Sequence, residues 1–137
     1  MEPHLSIDEV ARRTGLTAHT LRYYERIGLI APVGRAPGGQ RRYAASDMAW
    51  IEFLLRLRTT RMPIGKMQAF AALRSTGEPT VPARRQILEG HLAEVLAEIE
   101  AMRQAADALH AKIEHYRACE QALALEPSTE KDNAHER

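Results

Sequence analysis

Leu16-Thr17-Ala18-His19-Thr20-Leu21-Arg22-Tyr23-Tyr24-Glu25-Arg26-Ile27-Gly28-Leu29-Ile30 is the stretch on which the fold turns. Thr17 suits an N-cap, because its hydroxyl can accept from a backbone N–H of the first turn. Leu21 and Tyr24 recur at helical spacing and define an inner face, and Gly28 ends the helix. His19, Thr20, Arg22 and Tyr23 are left on the outer face. Such a surface suits the major groove of duplex DNA, where arginine reads guanine and hydroxyls hold phosphates. A merely solvated helix face carries similar residues, so the neighbouring segments decide between the two readings.

Upstream, Ser6 caps a helix whose apolar face is Ile7, Val10 and Ala11, and Gly15 ends it. The small residue at 11 lets two helices approach, and Gly15 permits the positive φ of a tight turn, which reads as helix-turn-helix. Downstream, Leu29-Ile30-Ala31-Pro32-Val33 reads as extended because Pro32 blocks helix. Pro37-Gly38-Gly39 is a turn, and Gln40-Arg41-Arg42-Tyr43 can return beside the first segment as a two-stranded wing. Two guanidiniums and a phenol on a protruding hairpin form a phosphate clamp. Ser46-Asp47 opens a third helix with Met48, Ile51, Leu54 and Leu55 on one face, and Met62-Pro63 stops it. Trp50 is expected in the core. Ile64, Met67, Phe70, Ala71 and Leu73 pattern a fourth, ended by Gly77-Glu78-Pro79.

Beyond Pro82 the apolar residues are Leu88, Leu92, Val95, Ile99, Met102, Ala106, Leu109, Ile113 and Tyr116. Their spacing alternates four and three, the a/d pattern of a coiled coil. A helix over 82–124 is about 60 Å long. A head of this size cannot cover that seam, so a partner is implied, most simply a second copy. Periodicity does not tell parallel from antiparallel. Residues 125–137 show no apolar pattern and are expected as a disordered tail. The domain reading is therefore a DNA-binding head at 1–75, a linker at 76–81, a dimerisation helix at 82–124 and the tail.

Net charge is +1, but it is unevenly spread. Residues 1–75 hold 12 Lys/Arg against 6 Asp/Glu, and residues 76–137 hold 7 against 12. The basic half attracts phosphates and the acidic half stays clear of them. With Cys119 as the sole cysteine no intrachain disulfide forms, which fits a cytoplasmic protein. No membrane span and no signal-peptide core are seen, so no membrane partner is expected. No P-loop, dinucleotide motif, metalloprotease helix or paired apolar carboxylates appear, so no enzyme activity and no cofactor are expected. Glu25, beside basic residues, reads as an ion-pair partner and not an acid catalyst. The alternative is a coiled-coil scaffold whose basic head binds protein.

The 16–30 run resembles the recognition-helix signature of the MerR family of transcription regulators. Arg41-Arg42-Tyr43, the Asp47 helix start and the terminal heptads match in order and spacing, so the resemblance spans residues 4–120. It implies a mainly α fold: a winged helix-turn-helix head with a small hairpin wing, then a long helix forming an antiparallel coiled-coil homodimer. It implies binding to double-stranded promoter DNA at a pseudo-palindrome. There the protein distorts an overlong spacer so that RNA polymerase can use the promoter, in response to a stress or small-molecule signal. By position, Thr17, His19, Thr20, Arg22, Tyr23 and Tyr24 would contact DNA from the helix, and Arg41, Arg42 and Tyr43 from the wing. Gln40 stands where many members carry tyrosine.

Trp50-Ile51-Glu52-Phe53 and Ala83-Arg84-Arg85-Gln86-Ile87-Leu88 resemble the branch of the family that answers aldehyde and thiol stress. That branch has a cysteine in the third helix, and the matching position here is Arg56. The effector is left unnamed. Cys119 is the candidate effector residue, with His115 four residues before it on the same face. Two ligands are too few for a closed metal site, so none is expected. A small ligand has a second candidate site near Trp50, Phe53 and Phe70.

Overall fold

A computed structural model describes the backbone of residues 4–135 and the side chains of residues 4–125. In chain order the elements are β1 (Leu5–Ser6), α1 (Ile7–Thr14), α2 (Ala18–Arg26), β2 (Gly34–Arg35), β3 (Arg41–Tyr43), α3 (Ala45–Thr59), α4 (Ile64–Thr76), a 3-10 turn (Glu78–Thr80) and α5 (Val81–His135). Two units are resolved, residues 1–92 and 93–137, and the division falls inside α5. The head unit thus extends past residue 75, because Ile87 and Leu88 pack against its core.

Each helix of the head begins and ends for a local reason. The Ser6 hydroxyl accepts from Glu9 N–H at 3.2 Å, capping α1. Gly15, at φ 77°, closes α1 in the left-handed conformation, and its N–H donates to the Ala11 carbonyl at 2.9 Å. The Thr17 hydroxyl accepts from Thr20 N–H at 3.0 Å and so caps α2. α3 starts at Ala45, one residue before Ser46. Asp47 Oδ2 accepts from Ala44 N–H at 2.9 Å, which fixes that start although the Ala44 side chain has no oxygen to cap it. At the other end, Met62 N–H reaches the Leu57 carbonyl at 2.9 Å and Arg61 N–H the Arg58 carbonyl at 3.0 Å. This is a Schellman closure, with Arg61 in the left-handed position at φ 63°.

The core gathers Val10, Leu21, Tyr24, Leu29, Ile30, Tyr43, Ile51, Leu54 and Phe70 from every layer of the head. Trp50 is buried, as expected, and its Nε1 donates to the Leu29 carbonyl at 2.8 Å. Its ring stacks on Phe70 at 5.9 Å, and the Arg74 guanidinium lies 4.3 Å from its centre. These contacts clamp α3 to α4 and to the segment after α2.

The sheet differs from the two-stranded reading. It has three short antiparallel strands in the order β1-β3-β2, with Leu5 opposite Tyr43 and Arg35 opposite Arg41. Residues 29–33 do not form the first wing strand. The Tyr24 carbonyl takes both Leu29 N–H (2.9 Å) and Ile30 N–H (3.2 Å), so those amides close α2 instead of joining a ladder. Leu29, Ile30 and Val33 are spent on the core, and pairing begins at Gly34. The wing tip turns at Gly39, at φ 86°, whose N–H donates to the Ala36 carbonyl at 2.8 Å.

α5 continues past 124, where the sequence expectation ended it. Residues 117–125 contain no glycine or proline, and the helix runs on from there through Pro127 to His135. The side chains of 126–137 and the backbone of 136–137 lie outside the described residues, and the expected tail falls largely there. Among the described residues no helix is long and apolar enough to cross a membrane.

Candidate nucleic-acid interface

The two faces of α2 have separate destinies. Leu21 and Tyr24 go inward, whereas His19, Arg22, Tyr23 and Arg26 stay exposed. Tyr23 is 37% exposed, and the Arg26 guanidinium lies 5.5 Å from its ring centre. That contact stiffens a phenol that would otherwise sample several rotamers. At the helix start, the Thr17 hydroxyl donates to Thr20 Oγ1 at 2.9 Å while accepting from Thr20 N–H. The Thr17 proton is thus consumed locally, and the Thr20 hydroxyl keeps its own proton for an outside acceptor.

Two residues expected at the interface are elsewhere. Tyr24 is 8% exposed and Tyr43 is fully buried, so both rings belong to the core and neither is presented to a phosphate. The reason in β3 is the two-residue period of a strand. Tyr43 faces the head, where the chain pairs it with Leu5, and Arg42 faces out. Among the described residues the Tyr43 hydroxyl has no hydrogen-bond partner. Burial raises its pKa above the ordinary 10.0, and the nearby Glu25 charge adds to the effect.

Arg41 and Arg42 thus play different parts. Arg42 is exposed. Arg41 is held by Glu25 of α2, Nε to Oε2 at 2.6 Å. Glu25 is the ion-pair partner that its basic surroundings foretold. Two cations were missed by sequence reasoning. Arg26 extends the Arg22 face by one helical turn, a four-residue spacing that was readable. Arg35 sits opposite Arg41, and its Nη1 donates to the Gly39 carbonyl at 3.0 Å, bracing the wing tip. A strand placed at 29–33 hid that role.

On α5 the heptad residues are described separately for each unit. Leu88 is half-buried against the head core. In the second unit Ile99 (57% exposed), Met102 (72%), Leu109 (66%), Ile113 and Tyr116 lie bare along the helix. Val95 is half-buried and Ala106 exposed. Leu92 and Leu96 are also exposed, and Leu96 falls outside the alternation of four and three. Cys119 is partly exposed, with Sγ 3.7 Å from His115 Nε2. Among the described residues no group of three or more His, Cys, Asp or Glu side chains converges as metal ligands do.

Comparison with known proteins gives a consistent picture. Residues 6–43 match the family described as MerR family regulatory protein, and residues 48–124 match the family MerR, DNA binding. The HTH-type transcriptional regulator AdhR of Bacillus subtilis is 45% identical over 84 residues, which is 61% of this chain and 60% of that protein. An HTH-type transcriptional regulator of Haemophilus influenzae is 31% identical over 108 residues, covering 79% of this chain and 80% of the relative. Among solved structures, HiNmlR, a MerR family regulator lacking the sensor domain and bound to promoter DNA, superimposes with a TM-score of 0.78. It is 29% identical, over 90% of this chain and 95% of that one.

Proposed function

The chain belongs to the MerR family of DNA-binding transcription regulators, and on that premise we propose that it acts as a homodimer on a pseudo-palindromic promoter. The observation that carries the reading is the division of α2: Leu21 and Tyr24 anchor it, and His19, Arg22 and Tyr23 are offered outward. α2 enters the major groove, where Arg22 reads a base edge and Thr20 and Tyr23 hold the backbone, while Thr17 caps the helix and positions the Thr20 hydroxyl. Arg42 and the free edge of Arg41 grip phosphates from the wing.

Two copies join through the bare heptad face of α5, antiparallel, so that two heads reach two half-sites. Deformation of the spacer between them is powered by phosphate contacts, and it realigns the promoter for RNA polymerase. An effector acts by favouring one of two dimer states. The setting is the cytoplasm.

The test is to map genomic DNA fragments retained by the purified protein at two salt concentrations. Enrichment of a short pseudo-palindrome between widely spaced promoter elements, persisting at the higher salt, is the expected result. Retention without sequence preference that vanishes at the higher salt would reduce the head to a basic surface.

A further inference from the structure

Glu25 is a carboxylate on the one helix that offers its outer face to a polyanion. By charge alone it opposes binding there. Its surroundings give it another task. Glu25 belongs to α2 and Arg41 to β3, so their 2.6 Å bond runs from the recognition helix to the wing. The two side chains are only 13% and 21% exposed. The other ion pairs among the described residues, Arg85–Glu89, Arg103–Glu100 and Arg117–Glu114, are exposed and lie within α5. Exposed pairs of that kind contribute little, whereas a partly buried charge-assisted bond between two elements fixes geometry.

The wing has need of such a tie. β2 and β3 are two and three residues long, and the only strand pairing β3 from the head side among the described residues is the two-residue β1; a sheet this small does not fix the orientation of its outer ribbon. Arg41 donates to Glu25 through Nε. A guanidinium carries five N–H groups, so its Nη edge is left for a second anion.

We propose that Glu25 is a positioning residue for DNA recognition: by holding Arg41 Nε it sets the wing against the outer face of α2 and aims the Nη edge at a phosphate, so that wing and helix engage one duplex in register. The inference rests on the DNA-binding reading above and deepens it. Glu25 touches no DNA in this role; it acts through Arg41. Its loss therefore costs selectivity and not general attraction to DNA.

The experiment measures affinity for the duplex selected by the wild-type protein and for a scrambled duplex of equal length. In Glu25→Ala the ratio of the two affinities falls about tenfold, while affinity for the scrambled duplex is unchanged or higher, since a negative charge has gone. Glu25→Gln, which keeps an acceptor for Arg41, retains most of the ratio. In an Arg41→Gln background, Glu25→Ala adds no further loss, because the two act as one unit. An unchanged ratio in Glu25→Ala overturns the proposal, and so do losses that add independently in the double variant. If Glu25→Ala does not fold, Glu25→Met, which keeps the length of the side chain but removes the carboxylate that holds Arg41 Nε, carries the same cycle against Arg41→Gln. A wild-type protein that shows no preference for any duplex would instead defeat the regulator reading itself.

Discussion

Arg22 and Tyr24 are two residues apart on α2 and face opposite ways, one to solvent and one to the core. Their different fates follow from helical geometry, which turns the chain by about 100° per residue. Arg22→Ala should therefore weaken binding to the selected duplex by about 1–3 kcal/mol, read by titration at fixed salt. Unchanged affinity would remove Arg22 from the reading surface. Tyr43 teaches the complementary lesson. Its place beside two arginines suggested a phosphate clamp, yet Arg41 and Tyr43 share one side of β3 and that side packs on the head. The two-residue period was in the sequence; which side faced inward was not, because it depends on β1 pairing from the other end of the head. Tyr43→Phe deletes a hydroxyl that has no partner among the described residues, so stability at neutral pH should change by less than about 1 kcal/mol in thermal melting. The raised pKa makes a further difference. Below the unfolded pKa near 10.0 both states keep the proton; above it the unfolded state loses the proton first, so stability falls as pH rises through 10 toward the folded value. Melting curves above pH 10 should show a smaller alkaline loss in Tyr43→Phe than in the wild type.

At the scale of elements, the helix starts were legible because capping is local. Ser6 and Thr17 accept the bonds their types predict. The wing was less legible because the segment after α2 satisfies two descriptions. Leu29 to Val33 is apolar and bounded by turn residues, as a strand would be, but its first amides are claimed by the Tyr24 carbonyl. Only the three-dimensional end of α2 decides that competition. The C-terminus of α3 yields a direct prediction. Arg61 adopts φ 63°, where a side chain is disfavoured and glycine is not. Arg61→Gly should raise the unfolding free energy by about 0.5–1 kcal/mol in a denaturant titration. A loss of stability would mean that the Arg61 side chain contributes more than its backbone strain costs.

For the molecule as a whole, α5 was the most legible feature, since alternating spacings of four and three hold from Leu88 to Tyr116. Its last stretch was not, because residues 125–135 lack an apolar pattern and include Pro127, Ser128, Thr129, Asp132 and Asn133, none of which favours helix. The compact unit of the head ends at Leu92, later than the expected boundary at residue 75, for a related reason: Ile87 and Leu88 serve the head core while already standing beside or in the heptad register. In the proposed dimer Leu109 lies in the seam, far from the DNA-facing residues in sequence. Leu109→Asp should convert dimer to monomer in sedimentation, since two buried charges cost about several kcal/mol. An intact dimer would show that the seam runs along another face, for instance through Leu96.

One consequence concerns how such a chain can change in length over evolution. α5 runs from Val81 to His135 without a break, and its apolar face is written in sevens. Inserting a single residue between Ile99 and Met102 would swing every later seam residue by about 100° around the axis and split the stripe in two. An insertion of seven would restore the stripe after two turns with only a slight drift. Lengthening or shortening is thus filtered in whole heptads, whereas the wing tip between Arg35 and Arg41 has no such rule to obey.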